Sequence, residues 1–157
     1  ATGAIANKGN LLTPRVLMHS QSKDGISYSE SQPQLKQIPI KNIDNWELII
    51  ESMKQTIYGK LGTAKRLNNK LSYTLAGKTG TAQVFGLDPE EEYIAENIDE
   101  KLRDHALFTA FAPIEKPQVA IAIIVENAGS GSSQAAPLAR ALLDEYFNKY
   151  GVDPDKI

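Results

Sequence analysis

Apolar residues recur along this chain in two rhythms. Trp46, Ile49, Ile50, Met53 and Ile57 fall at helical spacing and stop at Gly59, with Glu47 three positions after Asp44. The pattern predicts a helix with Asp44 as its N-cap and Glu47 completing a capping box. Residues 134–150 predict a closing helix, with Leu138, Ala141, Leu142, Glu145 and Tyr146 along one face. Residues 1–8 read as the tail of a further helix, stopped at Asn7, Lys8 and Gly9. Elsewhere the apolar residues run together. Residues 106–112 and 119–126, separated by a segment bounded by Pro113 and Pro117, predict an antiparallel hairpin in a well-buried sheet. Residues 15–19 predict a short strand, and residues 20–37 an exposed ribbon turning at Asp24-Gly25. Residues 62–69 have loop composition, and residues 72–84 read as one extended element carrying Gly77 and Gly80, where something approaches the backbone closely. Helices and strands do not alternate and nothing repeats, so the expected class is α+β, an antiparallel sheet flanked by helices in a single unit over 1–157.

Composition narrows the function. A compact domain of 157 residues buries roughly 70% of its unfolded surface, so a sizeable core is available. The net charge of −2 supplies no field for nucleic acid, and the basic residues are scattered. No apolar run approaches the roughly 20 residues of a membrane span. With no cysteine and only His19 and His105 as histidines, neither a metal nor another cofactor is expected. Acid is dense over residues 88–104, which read as a solvated surface insertion.

Three short motifs invite chemistry and fail on context. Gly77-Lys78-Thr79 lacks the earlier glycine of a phosphate loop, Ser72 standing in its place, and Thr81 to Phe85 are strand formers where a helix is needed. Gly129-Ser130-Gly131 lies between a strand and a helix, but Gln134 replaces the third glycine of a dinucleotide fingerprint; a tight connection whose amides could hold an anion is the better account. Ser20-Gln21-Ser22-Lys23 matches the serine-x-x-lysine signature formally. Such a serine must start a buried helix so that its lysine is desolvated, whereas Lys23 precedes an Asp-Gly turn in polar surroundings.

Lys78-Thr79-Gly80-Thr81 makes chemical sense on a strand. Alternation puts Lys78 and Gly80 on one side and Thr79 and Thr81 on the other, and the absent Cβ of Gly80 lets a flat ligand approach. A lysine and hydroxyl donors together recognise a carboxylate, and an edge-strand amide can stabilise an oxyanion.

Extended to Lys78-Thr79-Gly80-Thr81-Ala82-Gln83-Val84-Phe85-Gly86, with Arg103-Asp104-His105-Ala106 and Phe108-Thr109-Ala110-Phe111-Ala112-Pro113 following, the sequence resembles the class B penicillin-binding proteins, and within them the penicillin-binding protein 2 group. Trp46 to Met53, Gly62-Thr63-Ala64 and the stretch from Pro117 to Asn127 take part as well. The resemblance implies the carboxy-terminal portion of a penicillin-binding, serine β-lactamase-like transpeptidase domain that cross-links peptidoglycan stem peptides ending in D-Ala-D-Ala and is acylated by β-lactam antibiotics. It assigns Lys78 to the proton network of the nucleophile, Thr79 and Thr81 (with Gly80 between them) to the substrate carboxylate, the Thr81 amide to the oxyanion hole, and Gln83 to the cleft wall. It leaves His105 a structural histidine. The family's serine-x-x-lysine and serine-x-asparagine elements have no convincing counterpart, so no nucleophile is expected in this chain, and the chain alone is expected to be inactive. Elongation-machinery membrane proteins as partners, and the periplasmic face of the bacterial inner membrane as location, follow from the resemblance alone. A serine β-lactamase or D,D-carboxypeptidase, and a non-catalytic carboxylate- or protein-binding module, are the competing readings.

Overall fold

The computed structural model describes residues 1–17, 19–25, 27–29, 34–86, 94 and 98–152. Its centre is an antiparallel sheet of β5 (Ala76–Ala82), β6 (His105–Ala112) and β7 (Val119–Val125), in that order. The register pairs Lys78 with Thr109 and Gly80 with Leu107, and Thr79 with Phe108 and Thr81 with Ala106. Because facing residues in a ladder share a side, the expected alternation of Lys78 and Gly80 against Thr79 and Thr81 holds.

A helical layer covers each side of the sheet. On the Thr79 side, α3 (Ala136–Tyr150) lays Ala136, Ala139, Leu143 and Phe147 against Ala106, Phe108 and Ala110. On the Lys78 side, α1 (Thr2–Ala6) and α2 (Asp44–Tyr58) bring Ala6, Ile50 and Met53 against Ala76 and Phe111. Small residues let α3 sit close, Ala135, Ala136 and Ala139 being fully buried.

The predicted α2 is present and ends at Gly59, but Asp44 is its first helical residue; Ile43 is the N-cap and makes no side-chain capping bond, while Asn42 Oδ1, one residue earlier, accepts the Asp44 amide at 3.0 Å. Of the predicted stripe, Trp46, Ile50, Met53 and Ile57 are buried, while Ile49 is exposed. In α3 the expected face is wrong: Leu138 and Leu142 are 49% and 58% exposed, and the buried face is the alanine-bearing one. No strand forms over residues 15–17. The ribbon instead pairs β1 (Asn10–Leu12) with β4 (Leu35–Gln37), and β2 (His19–Gln21) with β3 (Ser27–Ser29). Gly9 adopts φ +88° where a Cβ would sit 2.7 Å from the Trp46 ring, so the turn between α1 and β1 needs glycine on two counts.

The hairpin of β6 and β7 is formed as expected, but its burial is one-sided at β7: Ala120, Ala122 and Ile124 are exposed between half-buried neighbours. Most of the acidic stretch lies outside the described residues. Asp104, at its end, is buried rather than on the surface, and its carbonyl accepts the Gly129 amide at 2.8 Å. No described helix is long and apolar enough to cross a membrane.

Candidate functional site

The free edge of β5 is the floor of the site. β5 pairs only with β6, so its other edge has no strand partner among the described residues. Two chain segments flank that edge: the loop leaving α2 and the connection from β7 into α3. The second opens with Gly129 at φ +79° and continues as a single wide turn, Gly131–Ala135. Gly131 lies flat on the sheet, since a Cβ there would be 2.2 Å from the Leu107 carbonyl oxygen and 2.3 Å from that of Gly80. No other residue fits without moving the strand.

Between these walls lies a groove of about 230 Å³ lined by Thr63, Thr79, Gly80, Thr81, Ser130 and Ser132, with Gly131 at its back. The hydroxyls of Thr63 and Thr79 are 2.8 Å apart, and those of Ser130 and Ser132 are 2.9 Å apart. Each hydroxyl can donate or accept, so the groove offers an anion several adjustable donors. Lys78 points to the other side of β5, into a hollow of about 510 Å³ that it shares with Ser52, Gln55, Thr56, Lys60 and Thr63. Its ammonium donates to the Thr79 carbonyl at 2.5 Å. Thr63 borders both spaces, and among the described residues no carboxylate lines either.

Of the residues singled out in the sequence, Thr79, Gly80 and Thr81 meet in the groove, with Lys78 next door. Gln83 follows the end of β5, is exposed, and is not among the groove's lining residues. Gly80 has a packing reason of its own: a Cβ there would meet Leu107 Cβ at 3.3 Å, across the strand pair. His105 is structural, its Nδ1 accepting the Asn127 amide at 3.0 Å. Ser20 and Lys23 sit on the exposed β2–β3 hairpin, in no helix. The phosphate-loop alternative fails on geometry too, because the chain runs on as strand through Ala82.

Thr63, Ser130 and Ser132 were not among the expected site residues. The Gly62-Thr63-Ala64 loop and the serine-rich connection after Gly129 were the available signals, and only the fold brings them to β5.

A profile of the penicillin binding protein transpeptidase domain matches residues 1–144. The chain belongs to the penicillin-binding protein transpeptidase family. The peptidoglycan D,D-transpeptidase MrdA of Escherichia coli K12 is 42% identical over 142 residues, which are 89% of this chain and 22% of the relative. The MrdA protein of Haemophilus influenzae is 37% identical over 149 residues, 95% of this chain and 23% of the relative. The chain thus spans about a quarter of the length of the curated relatives it matches. Among solved structures, Pseudomonas aeruginosa PBP2 in complex with WCK 5153 superposes with a TM-score of 0.68 at 34% identity, covering 93% of this chain and 28% of that one. Helicobacter pylori PBP2 in complex with MreC gives 0.69 at 30% identity, covering 95% and 24%. The sheet, its helical layers and the β5 edge are therefore part of a penicillin-binding fold.

Proposed function

We propose that this chain is the carboxy-terminal part of a peptidoglycan D,D-transpeptidase of the penicillin-binding protein 2 group, and that its β5 groove holds the terminal carboxylate of a D-Ala-D-Ala stem peptide or of a β-lactam. The observation that carries this reading is the hydroxyl-lined groove at Thr79 and Thr81, on a strand edge open among the described residues, with Lys78 beside it and no carboxylate among the described residues of its walls. Such a surface favours a carboxylate by charge and by hydrogen bonding.

In this reading a serine outside this chain attacks the carbonyl carbon of the penultimate D-Ala. The bond to the terminal D-Ala breaks, that residue leaves as an amine, and an amine of a second strand then displaces the serine from the ester. Lys78 supports the proton transfers, Thr79 and Thr81 hold the carboxylate, and the Thr81 amide stabilises the oxyanion. Without the nucleophile the chain makes no acyl-enzyme. The whole protein acts in cell-wall elongation and cell shape at the periplasmic face of the inner membrane, with membrane proteins of the elongation machinery as partners; the Helicobacter pylori relative solved with MreC supports the last point.

Intact mass spectrometry after incubation with excess penicillin tests the assignment. An unchanged mass is expected. A penicilloyl adduct on Ser20 or any other serine of the chain defeats it.

A further inference from the structure

We propose that Thr63 is a positioning residue of the groove: its hydroxyl donates to the Thr79 hydroxyl and so leaves the Thr79 proton for the carboxylate of the ligand. The inference rests on the carboxylate reading of Thr79 and Thr81. The two oxygens are 2.8 Å apart, the distance of a hydroxyl–hydroxyl bond, and neither hydroxyl makes another hydrogen bond among the described residues. Each hydroxyl carries one proton, and the bond between them uses one of the two. A carboxylate accepts and never donates. Thr79 can therefore serve it only with its own proton, which leaves Thr63 as the donor within the pair. In a chain of hydrogen bonds each bond polarises the next, so the Thr79 hydroxyl becomes the better donor for accepting one.

The backbone holds Thr63 from both sides. At Gly62 a Cβ would lie 2.4 Å from the Thr56 carbonyl oxygen, so the loop lies flat on the last turn of α2. The Ala64 amide donates to that same carbonyl at 3.1 Å, and Ala64 is 2% exposed. Thr63 is thus fixed to α2, while Thr79 belongs to β5. The bond between their hydroxyls joins the two elements at the groove, where Thr63 and Thr79 are both lining residues. A donor fixed in this way loses little freedom when the ligand arrives, so the Thr79 proton is aimed in advance.

The test compares benzylpenicillin with its methyl ester, which lacks the anion, as acylating agents of the full-length protein that carries this chain. The wild type should react faster with the acid. T63V keeps the shape of threonine without the hydroxyl; it should slow the acid roughly fivefold and leave the ester unchanged. T63S should keep the wild-type preference. T79V should lose the preference, and T63V/T79V should be no slower with the acid than T79V alone, because Thr63 acts through Thr79. If T63V does not fold, T63A carries the same expectations. Equal slowing of acid and ester in T63V makes Thr63 merely structural and overturns the inference. An additive loss in the double variant overturns it as well, since Thr63 then meets the carboxylate itself. An unchanged preference in T63V removes the role of Thr63 and leaves the groove standing. If the wild type reacts no faster with the acid than with the ester, the carboxylate reading fails and the role of Thr63 with it.

Discussion

Tyr73 shows how one residue couples the core to pH. It is 6% exposed, stacks against Phe147 with ring centres 4.4 Å apart, and donates its phenol proton to Asp144 Oδ1 at 2.8 Å. Burial, and then the hydrogen bond and charge of Asp144, push its pKa up from the ordinary 10.0. The sign follows from which state ionises first. Above pH 10 the unfolded chain loses the phenol proton while the folded chain keeps it, so the contribution is fully present below pH 10 and declines as pH rises, by at most about 1.4 kcal/mol per pH unit. Urea midpoints should therefore fall between pH 9 and pH 11. Y73F should flatten that fall and cost about 1 kcal/mol at neutral pH for the lost hydrogen bond. An alkaline slope as steep in Y73F as in the wild type would place the titrating group elsewhere. None of this is written in the sequence around Tyr73, because Asp144 is 71 positions away.

Among the elements, α3 does more than cover the sheet. Its Arg140 side chain, largely buried, gathers the last carbonyls of the short 3₁₀ turn Lys65–Asn68 and of the residues after it, including Lys70 at φ +53°. Those carbonyls otherwise lack the fork of donors that a guanidinium supplies. R140A should cost about 2–3 kcal/mol in denaturant unfolding and speed amide exchange over residues 65–70, with R140K in between. Exchange in the 65–70 segment that is no faster in R140A would mean the loop holds itself. The same helix marks the limit of reading elements from pattern. Its period was legible, and so were α2 and the β6–β7 hairpin, because their apolar spacing is strong. Its face was not, because Leu138 and Leu142 outweigh alanines on any hydropathy count, whereas close packing on Phe108 selects the small residues Ala136 and Ala139. The β5 motif was likewise legible from Lys78 to Thr81, while Thr63 and Ser132 join it only through tertiary folding.

For the whole molecule, the decisive feature is that both edges of the central sheet are open among the described residues. The β5 edge is the one the proposed carboxylate groove uses. The β7 edge is a different matter: seven residues rich in valine and isoleucine, with Ile124 64% exposed and no charge, proline or bulge within the strand to discourage pairing. Natural sheets seldom leave such an edge bare, and the curated relatives are about four times as long as this chain. The β7 edge is therefore expected to pair with a strand from the remainder of the transpeptidase domain, the same remainder that would bring a serine to Lys78. Adding the separately produced amino-terminal part of that domain from the Haemophilus influenzae relative should slow amide exchange along Val119–Val125. It should also allow penicillin to acylate the added part, which should react slowly or not at all by itself. An I124K change, placed on the exposed face of β7, should leave the pairing intact. Acylation without protection of β7 would show that the halves meet through the helices alone. Protection without acylation would show that the strand pairs but that the β5 edge does not receive the nucleophile, and would count against the role given to Lys78.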